Sequence, residues 1–203
     1  PLRLTKYLEN KSYGKIGAKL ANPLYTSFLK FKHRQNGEYE NLSQAEMNFD
    51  DSYREICESL NKVSPVIGLR DSTHLTWKYK NHPNAPYQLF NYYRKGRLEG
   101  YVVYGVKDDS IYLNEFLSKP GDGIPASVLG SFIRFVISHY PDVQSLTTII
   151  QEFNPFLPVL EQAGFRKRKD SSHAAIVYAA DPQLQSIVHD GRNWFMNVGD
   201  RDQ

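Results

Sequence analysis

The sequence predicts an α+β fold with a mixed, mostly antiparallel central sheet flanked by helices, and three observations carry that prediction. Strand-like segments follow one another closely at Tyr87 to Tyr93, Gly100 to Val106 and Ser110 to Leu117. Arg94-Lys95-Gly96 and Lys107-Asp108-Asp109 supply the breaks, so the run forms a β-meander. A Gly/Pro loop, Ser118 to Pro125, then leads into a long apolar helix, and the β-branched run Val143 to Gln151 gives a further strand.

In chain order, residues 1–33 are basic and helix-permissive. Leu4, Leu8, Ile16, Leu20, Leu24, Phe28 and Leu29 supply apolar positions, with breaks near Gly14, Gly17 and Pro23. Their Lys and Arg residues are taken as the solvated side of helices packing on a neighbouring domain, in preference to an anionic surface partner. Residues 35–48 are polar and irregular, a linker. The expected organisation is a basic helical segment and linker over 1–48, then a globular unit over 49–203. Because the chain starts at Pro1 without Met, an upstream part is expected.

Asp50 or Asp51 caps a helix over Tyr53 to Lys62, and Ser64-Pro65 stops it. Val66 to Leu69 is a short extended piece. Asp71 or Ser72 caps a short helix through Trp77-Lys78-Tyr79, ended by Asn81-His82-Pro83. After the meander, a helix from Ala126 to Ser138 offers Val128, Leu129, Phe132, Ile133, Phe135, Val136 and Ile137 to the sheet. Asn154-Pro155 opens another helix, which Gly164 ends. Phe165 to Arg168 and Ala174 to Tyr178 make a last antiparallel pair, and Gln183 to Val188 one more helix. There is no internal repeat.

With 203 residues, 40% apolar and 13% aromatic, the chain can bury one sizeable core, and disorder is excluded. No apolar run reaches the roughly 18–20 residues of a membrane span. A net charge of +3 is too small to argue for nucleic acid or a membrane surface. The single Cys57 forms no internal disulfide and fits the buried stripe Tyr53, Ile56, Cys57, Leu60. That points to a reducing, cytoplasmic setting.

The order helix, meander, glycine-containing loop, helix, strand, helix ending in Gly164-Phe165 and strand pair is similar to the GNAT N-acetyltransferase superfamily. The Leu160-x-x-x-Gly164-Phe165 ending resembles a junction near the C-terminus of that fold. Three further segments resemble the GNAT-like domains of bacterial cell-surface polysaccharide biosynthesis. They are Trp77-Lys78-Tyr79-x-x-His82-Pro83-x-x-x-Tyr87, Gly100-Tyr101-Val102-Val103 and Trp194-Phe195…Gly199-Asp200-x-Asp202. The resemblance covers about residues 50–203. It implies acetyl-CoA or another acyl-CoA as cofactor, held at Lys119, Gly121, Gly123, Ala126 and Ser127. It also implies direct attack by a small-molecule amine, an amino sugar or related cell-envelope precursor, and an upstream GNAT-like half. Two features depart from the family. The loop lacks the usual Arg/Gln-x-x-Gly-x-Gly/Ala spacing and holds two prolines, each lacking a backbone donor. Leu160 stands where many members carry a Tyr as general acid.

Acetyl transfer needs a neutral amine, a proton acceptor and donors to the thioester oxygen. Glu115 is the best base candidate, on the strand before the loop and on the face opposite Asn114 and Phe116. The plainer alternatives are an ordinary ion pair or an exposed strand residue. His82 either binds substrate or caps its helix. Trp77 and Tyr79 are expected to pack, with stacking on a saccharide as the functional alternative. Tyr101 and Tyr104 divide into one core and one exposed position, and either could line a cleft. Arg166-Lys167-Arg168-Lys169 is a solvated strand end or, alternatively, a phosphate contact. Asp200 and Asp202 lack a third ligand, so no metal site is expected. Two other functions stand beside acyl transfer. A catalytically silent GNAT-like domain would bind a partner or complete a tandem pseudo-dimer. Transfer from aminoacyl-tRNA, as in Fem-type folds, would ask for a more basic surface.

Overall fold

The computed structural model describes residues 2, 22–29, 37–83, 86–121, 123–168, 177 and 179–200. The meander is present: β3 (Gln88–Arg94), β4 (Arg97–Lys107) and β5 (Ser110–Ser118) are successive antiparallel strands. Lys95, Gly96 and Asp108 take φ of 52°, 71° and 55° in the two hairpin turns, the left-handed conformation that matches strand twist. β1 (Glu38–Ser43) adds antiparallel to β3, and β6 (Ser145–Thr147) adds parallel to β5. The sheet order is β1-β3-β4-β5-β6, mixed and mainly antiparallel as expected.

The linker expected over 35–48 is overturned by β1. Its charged and polar residues are those of a sheet edge, where solvent takes one side, and they hide the alternation. Tyr39 stacks on Phe90 with ring centroids 5.2 Å apart. Of the basic N-terminal segment, a helix over 22–29 (α1) is described, with Leu29 buried. The rest lies outside the described residues, except Leu2, whose N–H donates to the Gln144 carbonyl at 2.7 Å.

Two helices cover the two sheet faces. α2 (Asp51–Leu60) starts at Asp50, whose side chain accepts from the Ser52 N–H, and buries Tyr53, Ile56, Cys57 and Leu60. α4 (Ile124–His139) buries Val128, Leu129, Phe132, Ile133 and Val136. Close approach of α4 to β4 needs Gly100: a Cβ there would lie 2.7 Å from both Val128 Cγ2 and Ser118 Cβ. With both faces covered, Tyr101 and Tyr104 are both fully buried, against the expectation that one would be exposed. Tyr101 meets Tyr53 of α2 edge-on at 5.0 Å, and Tyr104 meets Phe132 of α4 at 5.0 Å.

β2 (Val66–Ile67) pairs in parallel with β7 (Trp194–Phe195), bringing the C-terminal segment back beside α3 (Ser72–Leu75). Asp71 caps α3 through the His74 N–H at 2.7 Å, and the helix continues as a π-helical turn over Thr76–Lys80. The strand expected over Val143 to Gln151 is shorter, Ser145–Thr147, because the chain then turns away and Ile150 bridges Asn197. α5 spans Leu157–Ala163 and ends at Gly164 with φ 104°. It starts later than expected because Asn154 and Pro155 lie in a turn, where the Asn154 side chain accepts from the Phe156 N–H at 2.9 Å. Phe165 to Arg168 form no strand. Their expected partner, Ala174 to Tyr178, lies outside the described residues except for Val177. α6 spans Pro182–Val188, as expected.

Candidate functional site

Glu115 sits midway along β5, on the face where Tyr101 and α2 pack, and its carboxylate is almost wholly withdrawn from solvent. Arg70, the residue before the Asp71 cap, reaches it: Nε donates to Oε1 at 2.7 Å. The other two guanidinium nitrogens are also engaged. Nη2 donates to Asp200 Oδ1 at 2.5 Å and Nη1 to the Gly68 carbonyl at 2.5 Å. The Tyr79 hydroxyl, from the π-turn, donates to Glu115 Oε2. The Tyr101 hydroxyl lies 3.5 Å from Oε1. One buried cation is thus held between two carboxylates.

Charges so placed shift their neighbours. Burial opposes the charged Arg70, but Glu115 and Asp200 outweigh it and hold the guanidinium above its ordinary value. Burial pushes the Asp200 carboxyl up, with Arg70 pulling against it. The Tyr79 and Tyr101 phenols are held well above the usual value, first by burial and then by the Glu115 charge.

The turn Val198–Asp200 closes over this group. A Cβ on Gly199 would overlap the Tyr79 hydroxyl and lie 2.5 Å from Glu115 Oε2, so glycine permits the approach. Asp200 Oδ2 accepts from the Asn197 N–H at 2.9 Å. The Asn197 carboxamide is itself buried, and neither its nitrogen nor its oxygen has a partner among the described residues.

The loop after β5 is open. Gly121 and Gly123 have φ of 86° and 67°, and among the described residues no atom lies within 4 Å of the Cβ either would carry. Donors at this helix start are few: Ile124 N–H bonds the Gly121 carbonyl at 2.9 Å, Ser127 N–H bonds the Gly123 carbonyl at 2.9 Å, and Pro125 has none. Lys119 Nζ lies 3.5 Å from Glu99 Oε1.

The structure therefore joins Glu115, Tyr79 and Tyr101, and sets the other sequence candidates elsewhere. Tyr101 is sealed in the core, so it lines no open cleft. Trp77, expected to pack, is exposed on the outer side of the π-turn. His82 stands edge-on to Tyr87 at 5.3 Å, and its carbonyl accepts from Gln44 Nε2 at 2.9 Å. Cys57 is buried as expected, and burial pushes its thiol up. In the basic run, Lys167 reaches Glu152 at 3.4 Å and Arg168 reaches Thr147 at 3.4 Å, both at the surface. Leu160 is buried in the core. Asp202 lies outside the described residues. Arg70 and Asn197 were not anticipated. The one available hint was Glu115 itself, since a carboxylate inside an apolar strand implies a buried cation near it.

No family model and no curated protein matches the chain. Among solved structures, it is similar to a conserved protein of Enterococcus faecalis V583 described as a probable N-acyltransferase. That match has a TM-score of 0.41 at 20% identity and covers 56% of this chain and 27% of the other. A tandem GNAT protein from the clavulanic acid biosynthesis pathway gives a TM-score of 0.49 at 15% identity, over 64% of this chain and 43% of the other. An aminoglycoside acetyltransferase from an uncultured soil metagenomic sample, solved with sisomicin, gives 0.48 at 11% identity, over 70% and 97%. The matched region thus spans about a quarter of the first of these proteins and under half of the second.

Proposed function

We propose that the chain is an acyl-CoA-dependent N-acyltransferase domain of the GNAT type. In this reading it acts in the cytoplasm on a small-molecule amine, an amino sugar or related cell-envelope precursor. One observation supports this above the others. β5 runs into an open glycine loop and then into α4, while β6, parallel to β5, pairs with it over Ser110–Tyr112 alone among the described residues. Past that point β6 ends, and the Thr148 hydroxyl after it reaches β5, donating to the Leu113 carbonyl at 3.0 Å. Such an arrangement suits an extended arm lying along β5, with its phosphates at the positive end of α4.

The loop fits a phosphate group in part. Its two positive-φ glycines leave the backbone approachable, but Pro125 and the Ile124 bond reduce the donors. Lys119, Gly121, Gly123, Ala126 and Ser127 would hold the group. An acyl-CoA would supply the activated thioester. The chain itself would take the proton: from the amine to the Tyr79 oxygen, with the proton of Tyr79 passing to Glu115 Oε2, the acceptor it already faces. Gly199 covers both groups, so the Val198–Asp200 turn must shift for the amine to reach them.

Calorimetric titration with acetyl-CoA tests the reading. Saturable binding is expected, weakened in Gly123→Val, where a β-branched side chain at φ 67° is strained and blocks approach to the backbone. A second reading, a catalytically silent GNAT-like domain completing a tandem with an upstream half, is favoured by Leu160, whose buried side chain offers no acid where the family carries Tyr. A folded protein that binds no acetyl-CoA would decide for this second reading.

A further inference from the structure

The π-helical turn Thr76–Lys80 divides its two aromatic side chains between opposite environments. A π-turn inserts a residue into the helical register, and such turns are frequent at functional sites. Here Tyr79 turns inward to Glu115, while Trp77 is 67% exposed, the most exposed aromatic residue among those described. An indole left in water contributes little to the core. Its surroundings explain it better.

Beside Trp77 lies an open cleft of about 500 Å³, lined by Phe49, Ser72, Thr73, Thr76, Trp77 and Asn81. The lining combines two aromatic rings, three hydroxyls and one carboxamide, and none of these residues is charged. The His74 ring stands 5.8 Å from the indole, and burial, followed by Arg70, lowers its pKa and keeps it neutral near pH 7. A phosphate would find no cation among these lining groups, and an acyl chain would strand three hydroxyls. A pyranose ring matches both parts of the lining. Its C–H face covers an indole, and its hydroxyls exchange hydrogen bonds with Ser, Thr and Asn.

We propose that this cleft is a saccharide-binding subsite, with Trp77 as the stacking platform and Ser72, Thr73, Thr76 and Asn81 as its hydrogen-bonding rim. That the sugar held there is the acyl acceptor rests on the acyl-transfer reading; the binding of sugar does not. The same turn carries Tyr79 two residues on, facing inward to Glu115, so a ring seated on Trp77 lies on the opposite face of the turn from the Glu115 group.

Fluorescence titration of the whole protein tests the subsite. The chain has two tryptophans, and the Trp194 indole N–H is already bonded to the Val188 carbonyl at 2.8 Å. The probes are disaccharides of glucosamine, galactosamine and glucose, with mannitol as a polyol lacking a ring face. A saturable change in emission is expected with at least one disaccharide and none with mannitol. Calorimetry with that disaccharide should show affinity reduced roughly tenfold or more in Trp77→Ala, the loss of a stacked face, and largely kept in Trp77→Phe. Because Trp77 is exposed, both variants should keep the far-ultraviolet dichroism of the parent. No saturable response to any disaccharide, or equal affinity in Trp77→Ala, would overturn the proposal. Acetyl-CoA is titrated separately. Sugar binding without acetyl-CoA binding sinks the acyl-transfer reading alone, and the reverse sinks the subsite alone.

Discussion

Arg70 and Glu115 meet at 2.7 Å with both side chains almost entirely withdrawn from water. Arg70 also holds Asp200 at 2.5 Å, so one guanidinium ties the segment before α3, the middle of β5 and the C-terminal turn to a single point. A buried pair of this kind adds little net stability over well-packed apolar residues, yet removing one member leaves the other charged and uncompensated. What the group provides is registry between segments far apart in the chain.

Arg70→Met therefore leaves two carboxylates facing each other without a cation. The expected loss is about 3–5 kcal/mol of unfolding free energy, read by urea denaturation at neutral pH. Arg70→Met combined with Glu115→Gln should lose less than the two single changes added together, since one of the two stranded carboxylates is gone and Asp200 no longer faces a second charge. Additive losses would show that the two side chains do not support one another.

Glu115→Gln separates two roles. As proton acceptor, Glu115 should be needed for rate: acetyl transfer to an amino sugar should fall roughly 10²-fold or more, most at low pH where the amine is protonated. Acetyl-CoA affinity should hardly change. As a clamp alone, the residue would be needed only for stability, and the rate would persist wherever the variant remains folded. We expect loss of both, because the same carboxylate faces Tyr79 and Arg70.

How much of this was legible in the sequence follows from the range of the interactions. The meander was, because alternation and turn residues are local signals, and so was the long helix, whose apolar face is continuous. β1 was not: an edge strand with solvent on one side carries Glu38, Glu40 and Asn41, which look like linker. Glu115 stood out as a carboxylate in an apolar strand. Its partner did not, because Arg70 lies 45 residues before it and Asp200 lies 130 residues after Arg70, and nothing local marks a lone arginine before a helix cap. The inward Tyr79 and outward Trp77 depend on a π-turn that no residue pattern announces.

Alkaline pH should unfold the protein steeply. Tyr53, Tyr79, Tyr101 and Tyr104 are each held above the ordinary phenol value, chiefly by burial. The folded chain keeps these protons, whereas the unfolded chain loses them above a pH of about 10. Their contribution is thus complete below that value and is lost as pH rises, at about 1.4 kcal/mol per pH unit for each phenol. Urea midpoints measured from pH 8 upward should fall sharply past about pH 10, with phenolate absorbance appearing in step with unfolding. Ionisation of these four phenols before any loss of dichroism would contradict their burial.

Gly199→Ala tests the closure of the C-terminal turn over the buried group. Gly199 has no positive φ, so the backbone accepts alanine and only the added methyl matters. That methyl would overlap the Tyr79 hydroxyl and crowd Glu115 Oε2. Neither neighbour can retreat easily, since both are buried and bonded to one another. The turn must shift instead and carry Asp200 away from Arg70. An overpacking loss of about 1–3 kcal/mol is expected in urea denaturation. Tyr79→Phe removes the oxygen that the methyl meets first, so the double variant should lose less than the sum of the single changes. Gly121→Ala and Gly123→Ala, at positions with no described atom within 4 Å, should carry only the backbone cost of a left-handed residue, roughly 1–2 kcal/mol, with no coupling to Tyr79. If Gly199→Ala proved neutral, or lost the same amount with Phe at position 79, the turn would not rest on Tyr79, and the covered arrangement of Glu115 would have to be abandoned.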